Sequence, residues 1–197
     1  SIAHSFQKIS LGFLAAFFLG ILLGSSAYRF PWLQEFFEPV MVLMRSVPVA
    51  SFIILALIWI GSSQLAVLIA FIVVLPMIYV NTLSGLKSTD ASLLEMAFVF
   101  RIPVWKRIRF LYIPALLPYL ISGCRIALGM SWKSGVAAEV IGLPTTSIGE
   151  RLYMSKIYLE TADLFAWTFT IIVVSSLSER LFLSLLSWLQ KERQGIP

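Results

Sequence analysis

Arg125, Trp132 and Glu139 sit in or beside an apolar run, and Glu95 sits in a basic loop with Met96, Ala97, Arg101 and Pro114. These are the positions at which the chain could do chemistry, and the chemistry they allow is recognition. An ionisable residue inside an apolar helix is costly in lipid and usually faces a cavity or a partner. Arg125 therefore has two readings: it lines or gates a path for a solute, or it forms a structural ion pair or snorkelling arrangement, with Glu139 a candidate partner. Trp132, beside Lys133, fits an interfacial anchor better than a solute contact. Glu139, in the run Gly135 to Gly142, divides evenly between a pathway contact and a packing or capping role. Glu179 and Arg180 are adjacent, so they project in different directions from a helix; a dimer interface or a membrane boundary suits them.

Bond-making chemistry has little to work with. The sequence holds one histidine, His4, and one cysteine, Cys124, and its carboxylates are dispersed, so no catalytic cluster or metal-ligand set is formed. No Gly-x-x-x-x-Gly-Lys-Ser/Thr pattern occurs, which excludes a nucleotide site of that kind. We expect no enzyme activity, metal or cofactor of the chain's own.

The elements that must position these residues are set by composition. Hydrophobic residues make up 59% and charged residues 13% of the 197 positions, against about 45–50% and about 25% in soluble domains. Mean hydropathy is +0.90, more apolar side chain than one core can hide, so lipid is the expected solvent and partner. A net charge of +5 could point to nucleic acid, but the basic residues punctuate apolar runs and build no broad polar face.

A bilayer core about 30 Å thick takes roughly 20 apolar residues as a helix. Uncharged runs predict a span over Ile9 to Tyr28, with Gly12, Gly20 and Gly24 permitting close helix contact. Ser46 to Leu86 carries no charge and is read as two spans joined at Gly61-Ser62-Ser63-Gln64. Phe110 to Trp132 gives a fourth and Leu164 to Leu189 a fifth. The expected fold is all-α: one polytopic transmembrane bundle over residues 1–197, with five spans visible. Basic residues favour the cytoplasmic side. Lys87, Arg101, Lys106, Arg107 and Arg109, and then Lys191 and Arg193, place the loop Lys87 to Arg109 and the C-terminus in the cytoplasm, and the segment Lys133 to Asp163 and the visible N-terminus outside.

The loop itself is unusual. Leu93 to Phe100 is mostly apolar yet lies outside the spans, which reads as a docking surface. Ser92 and Glu95 have capping-box spacing for a short helix, and Pro103 would stop it and redirect the chain. Glu95-Met96-Ala97, Arg101 and Leu111-Tyr112-Ile113-Pro114 keep the spacing Glu-Ala-Ala, three residues, Gly, nine residues, Ile-x-Leu-Pro.

That pattern resembles the inner-membrane permeases of binding-protein-dependent ABC importers, with Arg101 in place of glycine as the main departure. Ser5-Phe6-Gln7-Lys8, Arg45-Ser46-Val47-Pro48, Pro114-Ala115-Leu116-Leu117-Pro118, Arg125-Ile126-Ala127-Leu128-Gly129, Trp132 and Ala137-Ala138-Glu139 extend the likeness to the nitrate, sulfonate and taurine branch. The resemblance implies a sixth span upstream, a bacterial inner-membrane location and a short coupling helix in the loop. Glu95 would anchor that helix in a separate ATPase dimer and Ala97 would allow close approach. It also implies a second permease subunit, identical or paralogous, an extracytoplasmic substrate-binding protein, and as solute a small anion such as nitrate, a sulfonate or bicarbonate, with uncharged or heterocyclic vitamin precursors the alternative, and with ATP bound by the partner. The competing class is a secondary transporter or channel working without an ATPase. It would call for inverted repeats and broken helices.

Overall fold

The computed structural model describes the backbone of residues 1–194 and side chains as far as Trp188. Within these residues it is helical throughout: α1 (Ile2–Arg29), α2 (Pro31–Ser46), α3 (Val49–Ile60), α4 (Leu65–Lys87), α5 (Ala91–Val99), α6 (Val104–Arg107), a π turn (Ile108–Tyr112), α7 (Ile113–Gly142), α8 (Ile148–Ile157) and α9 (Thr161–Gln194).

The centre of the molecule is a seam between α1 and α4. The glycines of α1 let the two backbones meet: a Cβ at Gly20 would fall 2.9 Å from Ile78 Cβ, and one at Gly24 would fall 2.8 Å from Thr82 Cβ. In lipid, where apolar side chains gain nothing by leaving water, such close van der Waals contact is a main source of helix association. Gly12 meets Val67 and Ala70, so the contacts advance in the same direction along both helices. α1 and α4 are parallel. α7 lies antiparallel to α4, with Gly123 against Asn81 and Gly85 against Leu116, and Phe182 of α9 closes over Phe13 and Phe17 of α1.

Two parallel spans need a return crossing between them, and α2 with α3 supplies it. α3 has 12 residues, about 18 Å of helix and too short to cross alone. It is joined to α2 through a 100° bend at Val47-Pro48, where both residues are extended. With this bent pair counted as one crossing, the described residues hold five candidate spans. Their number agrees with the sequence reading, but their bounds differ. The uncharged run from Ser46 is not two full spans, because the first of that pair begins at Pro31 and includes Glu35, Glu38 and Arg45.

The fourth span is also longer than expected. Val104–Gly142 covers 39 residues, so Lys133 to Gly142 continues α7 and is not part of a separate outer segment or a short dipping helix. Of the expected outer segment, only Leu143 to Glu160 departs from the spans, carrying α8. Helix α9 presents Phe165, Phe169, Ile172, Leu181 and Leu185 as an exposed apolar face suited to lipid. The side chains of Leu189, Lys191 and Arg193, invoked for the last span and the orientation, lie outside the described residues.

Candidate functional site

Helix α5 stands between two spans as a nine-residue helix with a defined start and stop. Its N-cap is Asp90 and not Ser92. The Asp90 carboxylate accepts hydrogen bonds from the Ser92 backbone N–H and hydroxyl, both at 2.8 Å, satisfying one of the free donors of the first turn. Those bonds hold the Asp90 carboxyl below its ordinary range. The expected capping box from Ser92 to Glu95 is displaced because the stronger acceptor lies two residues earlier.

The end of α5 explains the departure at Arg101. Its φ is +49°, the left-handed conformation that favours glycine. The Arg101 N–H donates to the Phe98 carbonyl at 3.0 Å and the Ile102 N–H donates to the Ala97 carbonyl at 2.9 Å. These two bonds are the Schellman pattern, in which a left-handed residue closes the helix. Arginine therefore keeps the tight turn that its side chain should disfavour. The chain then enters α6 at Pro103 and passes through the π turn, where the Ile113 N–H donates to the Ile108 carbonyl five residues back. Pro114, exposed in the first turn of α7, has no N–H to give, and the wide turn precedes it.

Glu95, Met96 and Arg101 are exposed on this loop, as a docking role requires. Phe98 is 77% exposed and Trp105 71%, with Leu93, Val99 and Phe100 exposed beside them. Ala97 is a correction: it is fully buried. It borders the crevice formed with Ile102, Pro103 and Arg107 and does not lie on the outer face.

Within the spans, the three candidate residues part company. Arg125 lies on the open side of α7, with Ser122 and Lys133 exposed on the same face and Gly129 between them, where an added Cβ would touch nothing. The spacing 122, 125, 129, 133 makes one polar strip along the helix. Glu139 is not its partner, since 14 residues of helix separate them by about 21 Å. Trp132 is 3% exposed, and its Nε1 donates to Ser178 Oγ at 2.8 Å, tying α7 to α9.

Glu139 is 1% exposed and belongs to a clasp joining α1, α7 and α8. Ser5 Oγ donates to Glu139 Oε2 at 2.7 Å and accepts from the Ile148 N–H at 2.9 Å. The Gly149 N–H donates to the same carboxyl oxygen at 3.2 Å. Any side chain at Gly149 would collide with Glu139, the backbone carbon lying 2.5 Å from an added Cβ. The clasp thus satisfies two donors in the first turn of α8 and gives Glu139 a packing and capping role, while its second carboxyl oxygen, Oε1, is buried without a hydrogen-bond partner. Sequence reasoning missed Ser5 and Asp90. Asp90 had a legible signal, Asp just before an apolar helical run; Ser5 had none, being 134 positions from Glu139.

Comparison with known proteins bears on this arrangement directly. Residues 16–191 match the family described as binding-protein-dependent transport system inner membrane component. Similar curated proteins include one named as an aliphatic sulfonates transport permease of Bacillus subtilis, 29% identical over 89% of this chain and 63% of that protein. The taurine transport system permease of Escherichia coli is 27% identical over 90% and 65%, and the nitrate import permease of Synechococcus elongatus is 30% identical over 70% and 50%. The chain thus spans less than two thirds of the length of these relatives. A solved structure described as an amino acid ABC transporter with histidines shares the fold, with a TM-score of 0.65 at 17% identity over 97% of this chain and 89% of that one. The family match runs from the middle of α1 through the α5 loop and α7 into α9, and the chain belongs to the inner membrane component family of binding-protein-dependent transport systems.

Proposed function

We propose that this chain is the membrane-spanning subunit of an ATP-driven importer for a small anion, working with a separate ATPase dimer, a second permease subunit and an extracytoplasmic binding protein. The observation that carries the reading is α5 and its flanks: large apolar side chains beside Glu95, held outside the spans on a capped helix. Water offers no reason for such a surface, and a protein groove does. The rigid ends of α5 matter for the same reason. A Schellman turn and a continuous helical path from Pro103 into α7 would carry a displacement of α5 into the fourth span, as alternating access requires.

In this reading the basic loop faces the cytoplasm and, with five crossings, the C-terminus shares that side while α8 lies on the outer side, where a binding protein would deliver its cargo. The anion preference rests on the names of the sulfonate, taurine and nitrate relatives and on the strip of Ser122, Arg125 and Lys133. An arginine on an open helix face is suited to an anion passing between two permease subunits. Affinity purification from native membranes in mild detergent tests the reading. An ABC-type ATPase should be retained by the wild type and lost with Glu95→Arg. Recovery of no ATPase, together with undiminished uptake by Glu95→Ala, would sink it.

A further inference from the structure

A cavity of 590 Å³ opens between the last turns of α1, the end of α4 and the entry to α7. Its polar residues are all donors or neutral hydroxyls: Ser25, Tyr28 and Arg29 from one face of α1, and Arg107 and Tyr112 from α6 and the π turn. No carboxylate is among the described residues that line it. The Tyr28 and Tyr112 rings meet edge to face at 5.7 Å and close one wall. Arg107 Nε is shielded from solvent and has no hydrogen-bond partner, an arrangement that is costly for a guanidinium donor unless an acceptor is supplied. Two arginines, one from α1 and one from α6, with three hydroxyls in the same lining, form a receptor for a phosphate diester.

We infer that this cavity holds the headgroup of an anionic phospholipid. Three features favour a lipid over a free anion. The remainder of the lining is apolar, including Ile21, Leu86 and Leu116. The cavity lies where the apolar spans give way to the basic loop, the level at which headgroups sit. Phe18 and Leu22, both exposed on α1, continue the stripe that ends at Arg29, a track along which an acyl chain can lie. Arg107 also borders the crevice behind Ala97, Phe98 and Arg101. A bound lipid would therefore brace the base of α5, making attachment of the docking helix sensitive to the lipid around it.

Lipid retention measured by native mass spectrometry on the purified permease complex tests this without recourse to transport or ATP hydrolysis, so its outcome is independent of the proposed function. Phosphatidylglycerol should be retained about tenfold better than phosphatidylcholine, because the latter carries a quaternary ammonium next to the same phosphate diester and two arginines repel it; tenfold is about 1.4 kcal/mol. Arg107→Gln and Arg29→Gln should each abolish most of that preference. Arg109→Gln removes the same charge from the loop but does not line the cavity, and should leave it intact. Because Arg29 is exposed, its variant carries the test even if Arg107→Gln fails to fold. Equal retention of the two lipids would overturn the inference, as would equal loss in Arg109→Gln. So would competition by inorganic phosphate as strong as that of phosphatidylglycerol, which would assign the site to a free anion.

Discussion

Replacing Ser5 with alanine removes one oxygen atom and should cost far more than its size implies. That hydroxyl donates to Glu139 at 2.7 Å and accepts from the Ile148 N–H at 2.9 Å, both in a buried setting. Losing the first bond costs about 1 kcal/mol, and leaving the Ile148 N–H buried without an acceptor costs a further 1–3 kcal/mol or so. The sum is about 2–4 kcal/mol. For a chain of this size each kcal/mol moves the unfolding midpoint by about 2–4 °C, so a fall of roughly 5–15 °C is expected in detergent. Ser26→Ala is the matched control. It changes the same residue type on the same helix, but Ser26 Oγ bonds only to the Leu22 carbonyl one turn back on an exposed surface, and its shift should be near zero. Ser5→Ala and Glu139→Gln should also be non-additive, since both act on one network; a coupling of about 0.5–3 kcal/mol is expected. A Ser5→Ala midpoint indistinguishable from that of Ser26→Ala, or losses that simply add, would refute the clasp.

Arg101→Gly should preserve coupling and modestly stabilise the turn. It relieves about 1–2 kcal/mol of left-handed strain and returns about 0.4–1 kcal/mol as unfolded-state freedom; slower amide exchange at Ile102 would register the gain. Arg101→Pro should instead cost about 3 kcal/mol or more, because it fixes φ near −65° and deletes the donor to Phe98. Gly20→Leu forces four carbons against Ile78 and should lower the unfolding midpoint by an amount corresponding to at least about 1–3 kcal/mol, read in the same thermal assay. Trp132→Phe keeps an aromatic ring but loses the bond to Ser178 and part of the buried indole, so stability should fall by about 1–3 kcal/mol while the KM of uptake stays unchanged. A raised KM would return Trp132 to the path.

The parts of this fold that depend on run length were readable: α1, α4, α9 and the middle of α7 are long apolar stretches, and the α1 glycines announced their close contact. The bent second crossing was not, because its first half carries Glu35, Glu38 and Arg45 and its second half is short. A search for uncharged runs passes over the first and merges the second with α4. Lys133 hid the continuation of α7 in the same way, since one charge near a helix end looks like a boundary when its exposed position is unknown. At the loop, spacing marked out Glu95 to Pro114, yet identity alone could not say that Arg101 keeps a glycine's backbone. Side-chain direction divided the candidates thereafter. Arg125 and Trp132 are seven residues apart on one helix, but one faces open space and the other a neighbouring helix, a difference that only the packing of α9 against α7 decides.

The most direct test of the central claim is solute uptake by the permease reconstituted in liposomes with and without its ATPase, using nitrate or a sulfonate delivered by the cognate binding protein. Accumulation should require both ATP and the ATPase and should vanish when Glu95 and Phe98 on α5 are replaced by arginine and glutamate. Uptake that proceeds without ATP or the partner, and is indifferent to those two substitutions, would contradict it.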